Sequence, residues 1–326
     1  MPVTGYSMVK SYRRCPKQYQ YKYLDHLQRK KPAPPLIRGT IIHEILNARA
    51  VTGTTRTPRK ILAEYEEKYG ALFKEEQEVY GENFMEDIRR IYEGYLRTYG
   101  GDEDIEYEAS EELVSVDLTS DIRYLGHLDK RLVTKKDGRR WLMDHKTHKH
   151  LPTEEQRFSD YQILMYVWAY NRQHPKEKVD GIVWDYIRTK PPTIPEVLKK
   201  GGLSQAKNCD TDVYTYTKAI IANKLMMADY KEYLADLEKR SKNKFYQRIF
   251  LPNPGKGMVE QVVKDFRETS TIMHGLSVYP RTMTRDCSWC EYFRLCSAEL
   301  RGLDSDFVRK TEFEVKEINE DSSEED

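Results

Sequence analysis

The chain has 326 residues, 54 Lys and Arg against 53 Asp and Glu, and a net charge of +1. That length can bury a full core, as one large domain carrying insertions. The opening MPVTGYSMVK lacks the apolar run of a secretion signal, and no stretch reaches the roughly 18 apolar residues that would span a bilayer, so a soluble cytoplasmic protein with no membrane partner is expected.

Residues 7–27 read as a helix capped by Ser7 and open to division at Pro16. KKPAPP reads as a linker, and three amphipathic helices follow over 39–50, 58–70 and 83–99. From Glu106 the pattern changes to alternation with β-branched residues, which predicts strands over 111–118, 124–133 and 140–147. A helix over 159–172 and a strand over 181–189 come next. The prolines and paired glycines after Lys190 mark a loop, followed by a long helical segment over 212–240. The stretch 190–251 reads as an insertion, although a strand is expected over 245–251. A helix over 258–273 and a cysteine-bearing segment at 280–300 complete the body, and the single domain is expected to end near residue 310.

The last sixteen residues hold eight acids and one base, a net of −7, so they are expected to be disordered and the body stands at about +8. A basic body suits a phosphate-binding groove. No repeat and no G-x-x-x-x-G-K-[ST] occurs. PNPGKGM reads only as a turn, so no NTP-driven motor is expected in the chain and a separate helicase or recombinase is a conceivable partner.

In VTKKDGRRW, Asp137-Gly138 predicts a two-residue hairpin turn. That register sets Asp129 opposite Lys146 and puts Asp144 on the same face, diagonal to Asp129 at roughly 7–8 Å. Adjacent carboxylates repel, and a divalent cation between them relieves the repulsion; Mg²⁺ or Mn²⁺ suits such oxygens. The alternative is a surface hairpin with an ordinary ion pair, but Trp141, Leu142 and Met143 cover both strand faces and argue for a buried strand.

These residues resemble the PD-(D/E)XK nuclease superfamily, in its RecB-like branch. Gly126-His127-Leu128-Asp129 matches the first acidic motif, with Leu128 where the family name has proline, and Asp144-His145-Lys146 matches the D-x-K motif. His43 in RGTIIHEIL resembles the upstream helix histidine that ligates metal, and Gln162 with Tyr166 in DYQILMY resembles the Q-x-x-x-Y helix behind the site. The resemblance implies an α/β, restriction-endonuclease-like mixed central sheet flanked by helices. It also implies a metal-dependent DNA nuclease in which His43, Asp129, Asp144 and the His145 backbone carbonyl hold the ion and Lys146 is catalytic. The side chains of His145, His148 and His150 read as bystanders. Exonuclease action on single-stranded or resected DNA in recombination, repair or phage replication is the leading expectation; an end-processing endonuclease and a non-catalytic DNA-binding subunit are the alternatives. Tyrosines and bases in YRRCPKQYQYKYLDHLQRKK could meet single-stranded DNA or simply pack.

Cys287, Cys290 and Cys296 form a C-x2-C-x5-C group whose fourth partner is Cys15 or Cys209. Four thiolates suit zinc or an iron–sulfur cluster. A lone Cys15 before proline, with the triplet at the far end of the chain, resembles the iron–sulfur RecB-like nucleases. This implies a [4Fe-4S] cluster on Cys15, Cys287, Cys290 and Cys296 that staples the C-terminal segment onto the N-terminal helix.

Overall fold

The structure is a computed structural model that describes residues 1–31, 33–50, 55–158, 160–252 and 255–316. Pro32 of the expected linker, Ser159, the Asn253-Pro254 part of the expected turn and the tail from 317 onward lie outside the described residues. The fold is mixed α/β, and its centre is the strand that the sequence makes apolar on both faces. GIVWDYIR forms a strand at Gly181–Arg188 (β6) that is buried along its whole length.

Around it the sheet is mixed. β4 (Arg123–Thr134) and β5 (Arg140–His148) form an antiparallel hairpin, β5 runs parallel to β6, and β7 (Tyr246–Pro252) closes the sheet antiparallel to β6. β3 (Ile105–Asp117) lies antiparallel along the other edge of β4, and the short β1 (Val3–Thr4) pairs parallel with the start of β4. Because β7 belongs to this sheet, the insertion ends before it rather than at residue 251.

Side-chain alternation sorts the two faces. Leu142, Ile182, Trp184 and Tyr186 pack under α1 (Tyr6–Arg14), α8 (Gln162–Gln173) and α11 (Lys256–Gly275). On the other face, Ile187 and Tyr246 pack against α3 (Pro34–Ala50) and α6 (Phe84–Tyr99), and α4 (Pro58–Tyr69) covers α3. α3 begins inside the expected linker, at Pro34, where proline's fixed φ suits a first helical turn. The short α5 (Lys74–Tyr80), KEEQEVY, buries nothing and so carried no periodic signal. α7 (Glu154–Phe158) precedes α8.

The N-terminal helix divides next to Pro16, where the sequence left it open to division: Cys15 is extended and leads into α2 (Pro16–Tyr19) and a π-helical turn at Gln20–Leu24. Tyr19 and Tyr21 are core residues there, in line with the packing alternative for that stretch. One expectation is corrected. The segment 212–240 is not one helix: α9 (Val213–Ala222) stops at Asn223, Lys224 takes φ +54°, and a 3₁₀ turn at Met227–Tyr230 leads into α10 (Lys231–Ser241). These pieces enclose a small core of their own, centred on Tyr216, Ile220 and Leu237.

The segment after α2 meets the last described elements of the chain. α12 (Phe293–Leu300) and α13 (Ser305–Glu312) lead to β8 (Phe313–Val315), which pairs with β2 (Leu27–Arg29). Tyr292 is sandwiched by Tyr21 and Phe313 and donates its hydroxyl to the Leu27 carbonyl at 2.7 Å. Ordered structure therefore runs past the expected boundary at 310, because Phe313 is anchored in this satellite core.

Candidate active site

The β4–β5 turn is longer than expected. Thr134 pairs with Arg139, and the four residues 135–138 form the loop, with Gly138 at φ +67°. The Asp137 carboxylate accepts from the Thr134 hydroxyl at 2.6 Å, which holds this wider turn closed. Lys130 consequently faces Met143, and the register is shifted by two from the one predicted. The ladder ends at Lys130 and Met143, so Asp129 and Asp144 both lie one position past its last pair, and Asp129 is not set opposite Lys146. A shift of two keeps every side chain on its own face, so the convergence survives the error.

The pleat also breaks where the site forms. Leu128 belongs to the core under α8, whereas Lys130 reaches through the opposite face to donate to the Leu46 carbonyl of α3 at 2.8 Å. Residues two apart in a regular strand share a face; these do not, so β4 twists at Asp129. Across β3, Ser110 pairs with Lys130 and Glu112 with Leu128, and the intervening Glu111 has φ +53°. Asn47 of α3, one helical turn beyond His43, donates to Glu111 at 2.7 Å. The twist turns Asp129 into the gap where β5 leaves β4, and there its Oδ2 accepts the backbone N–H of His145 at 2.7 Å. A side chain thus replaces a ladder bond at the fork.

On the α8 face, Lys146 Nζ lies 2.9 Å from Asp144 Oδ2, donates to Oδ1 at 3.1 Å, and donates to Gln162 Oε1 at 2.5 Å. Gln162 in turn donates to the Tyr166 hydroxyl at 2.7 Å, as the i, i+4 spacing on α8 allows. Gly126 is required here: a Cβ on it would stand 2.8 Å from the Tyr166 ring. His43 approaches from α3, with Nδ1 3.7 Å from Asp129 Oδ2. All six of these predicted residues are brought together.

Their electrostatics follow from burial. Burial, reinforced by Asp129, pushes Asp144 up to about 7, with Lys146 opposing, and burial also raises Asp129. Burial works against the Lys146 charge, but Asp144, Asp160 and Asp129 outweigh it and hold its pKa up. Burial, helped by Lys146, lowers His43 to about 4, which leaves its imidazole neutral and able to ligate.

The sequence matches the profile of the PD-(D/E)XK nuclease superfamily over residues 5–297. The chain belongs to the PD-(D/E)XK nuclease superfamily. Among solved structures it is similar to SSO0001, at 12% identity and a TM-score of 0.28 over 73% of this chain and 80% of that one. It is also similar to a protein named "Putative exonuclease" from Eubacterium rectale, at 9% identity and a TM-score of 0.44 over 90% of this chain and 87% of that one. A search of curated proteins found no match. Membership makes the chain a nuclease hydrolase with DNA as the implied substrate, in a superfamily that typically uses Mg²⁺ or Mn²⁺.

For this PD-(D/E)XK chain the donor chemistry suits such an ion: two carboxylates and one neutral imidazole, with Asp144 Oδ2 buried beside the Lys146 ammonium at 2.9 Å. The donors stand apart, since Lys146 engages Asp144 and the His145 amide engages Asp129. Among the described residues, no three His, Cys, Asp or Glu side chains are gathered closely enough to hold one ion.

His145 points away from Asp144, as expected, but it is no bystander. Its ring is fully buried, with Nδ1 2.7 Å from Asp185 of β6. Asp185 was missed, although a lone acid at the centre of GIVWDYIR marks a buried charge that needs partners the local sequence does not name. Asp160 was missed too: it accepts from the Tyr6 hydroxyl at 3.1 Å and from the Gln162 N–H at 3.2 Å, tying α1 to the start of α8. His148 lies against Tyr186 instead, and His150 is exposed.

Away from the carboxylates, Cys15, Cys287, Cys290 and Cys296 line one cavity of about 460 Å³ together with Arg14 and Lys17. Cys209 is not among its lining residues. Thr282 clasps two of the four, donating its N–H to Cys15 Sγ at 3.4 Å and accepting from Cys287 Sγ at 3.8 Å. Among the described residues, no helix is long and apolar enough to cross a membrane.

Proposed function

We propose that this chain is a metal-dependent DNA exonuclease that hydrolyses phosphodiester bonds at single-stranded or resected ends, in recombination, repair or phage replication. The observation that carries the reading is Lys146, held between Asp144 and Gln162 beside the Asp129 clasp. Asp129, Asp144, His43 and the His145 carbonyl would hold one or two Mg²⁺ or Mn²⁺ ions. When bound, such an ion supplies positive charge to the scissile phosphate and makes a nearby water easier to deprotonate. Lys146 orients the attacking water and offsets charge that grows on phosphate oxygen. Gln162 fixes the ammonium of Lys146, and Tyr166 fixes Gln162.

In the same reading Cys15, Cys287, Cys290 and Cys296 hold a [4Fe-4S] cluster. Their common cavity supports this. The cluster would bridge the terminal segments that Tyr21, Tyr292 and Phe313 already join.

The test is degradation of end-labelled linear DNA with Mn²⁺, run beside Asp144→Ala. Metal-dependent release of label by the wild type and a loss of at least about 100-fold in the variant are expected. Equal rates would mean that another site does the chemistry. Cutting of covalently closed circles would replace the exonuclease with an end-processing endonuclease.

A further inference from the structure

Under the hairpin, on the face away from Lys146, lies a cluster of charge that the mechanism above does not use. Asp185 is fully buried, and three groups converge on its carboxylate. His145 Nδ1 and the Tyr95 hydroxyl each stand 2.7 Å from Oδ2, and Arg248 Nε donates to Oδ1 at 3.3 Å. Arg248 comes from β7, directly across the ladder from Asp185, and also donates to the Tyr95 hydroxyl at 2.8 Å and to Asp102 at 2.7 Å. Asp102 accepts from Arg49 at 2.9 Å, and Arg49 lies on α3, the helix that carries His43.

We propose that Asp185, braced by Tyr95 and Arg248, is a positioning residue for the metal site: it fixes the His145 imidazole, and with it the backbone that clasps Asp129. Through Asp102 and Arg49 the same brace ties down the helix that delivers His43. The inference rests on the nuclease reading and adds to it the residues that hold the ligands in place.

Three observations carry it. Among the described residues the His145 ring makes one hydrogen bond, to Asp185, and its Nε2 is buried without a partner, so Asp185 is the polar group that fixes the ring. The Asp185 carboxylate, fully buried and also held by Arg248, offers an acceptor, so His145 Nδ1–H donates to it and the tautomer is set by the carboxylate. Finally, stability alone does not account for the cluster. Buried ion networks are often no more stable than apolar replacements of equal volume. This one sits on the residue between the D and K of the motif, where orientation of neighbours matters most.

The test is Mn²⁺ titration of the full chain by calorimetry, without DNA, for wild type, Asp185→Asn, Tyr95→Phe and Asp144→Ala. Asp185→Asn should weaken Mn²⁺ binding by about 10-fold or more, and Tyr95→Phe, the milder change, by a smaller factor in the same direction. The Mn²⁺ concentration for half-maximal DNA cleavage should rise by the same factors, with most of the rate recovered at saturating metal. Leu237→Ala, in the separate core of the insertion, should lower stability and leave Mn²⁺ affinity unchanged. Wild-type affinity in folded Asp185→Asn overturns the inference, as does wild-type affinity in Tyr95→Phe should Asp185→Asn not fold. If Asp144→Ala binds Mn²⁺ like the wild type, the nuclease site itself is misplaced; if it loses binding while Asp185→Asn keeps it, only the brace is wrong.

Discussion

Gly126→Ala tests how the Q-x-x-x-Y helix is set against the first acidic strand. The added Cβ would stand 2.8 Å from Tyr166 Cε1, 3.1 Å from Cδ1 and 3.0 Å from the Tyr124 hydroxyl. Carbon atoms settle at about 3.5–4.0 Å, so the Tyr166 ring must retreat by about 0.7 Å or more within a packed core. Overpacking of that kind costs about 1–3 kcal/mol. The ring carries the hydroxyl that holds Gln162, and Gln162 holds Lys146, so the displacement reaches the ammonium to which the proposed function gives the catalytic role. Misplacement on the order of 1 Å costs about 100-fold in rate. Urea denaturation and DNA cleavage of Gly126→Ala, Tyr166→Leu and the double variant form the assay. Shortening Tyr166 makes room for the methyl, so the double variant should be less destabilised than the sum of the singles by about 1–2 kcal/mol. Additive energies, with full activity in Gly126→Ala, would refute the steric account.

Two further outcomes follow from the charges and the thiols. Asp144 titrates near 7 when folded and near 3.8 when unfolded, chiefly because it is buried, so the folded state binds the extra proton between those values. That contribution is present below about pH 4 and is lost as pH rises to about 7; metal-free wild type should therefore lose up to about 4 kcal/mol relative to Asp144→Asn between pH 4 and 8. His43 and His145, both lowered by burial, contribute in the opposite sense in both proteins, so parallel pH profiles from urea midpoints would contradict the assignment. For the cysteines, anaerobically purified protein should absorb broadly near about 400 nm, and Cys287→Ser should lose that band together with thermal stability. A colourless wild type containing zinc would replace the cluster with a single ion.

Much of the site was readable because its pieces are local. D-x-K puts Asp144 and Lys146 on one face in any extended strand, Gln162 and Tyr166 share a face of any helix, and C-x2-C-x5-C brings three thiols near one another. The insertion read less well. Nothing in 212–240 forbids one continuous helix, and the break at Lys224 is chosen by the small core that Tyr216 and Leu237 close over it. Asp185 stood in plain sight, but a buried acid has no meaning until its partners are known. Those partners come from residues 95, 145 and 248.

By itself, then, the sequence determined the nuclease signature, the order of the main strands and helices around the site, and the identity of the groups that carry charge, since each depends on residues a few positions apart. The tertiary structure decided the register of the hairpin, the twist that turns Asp129 into the fork, the cavity shared by Cys15 with the distant triplet, and the brace beneath His145. Each of those is set by contacts between segments far apart in the chain, where a two-residue change of turn length or a single positive φ alters which atoms meet and no local pattern records the choice.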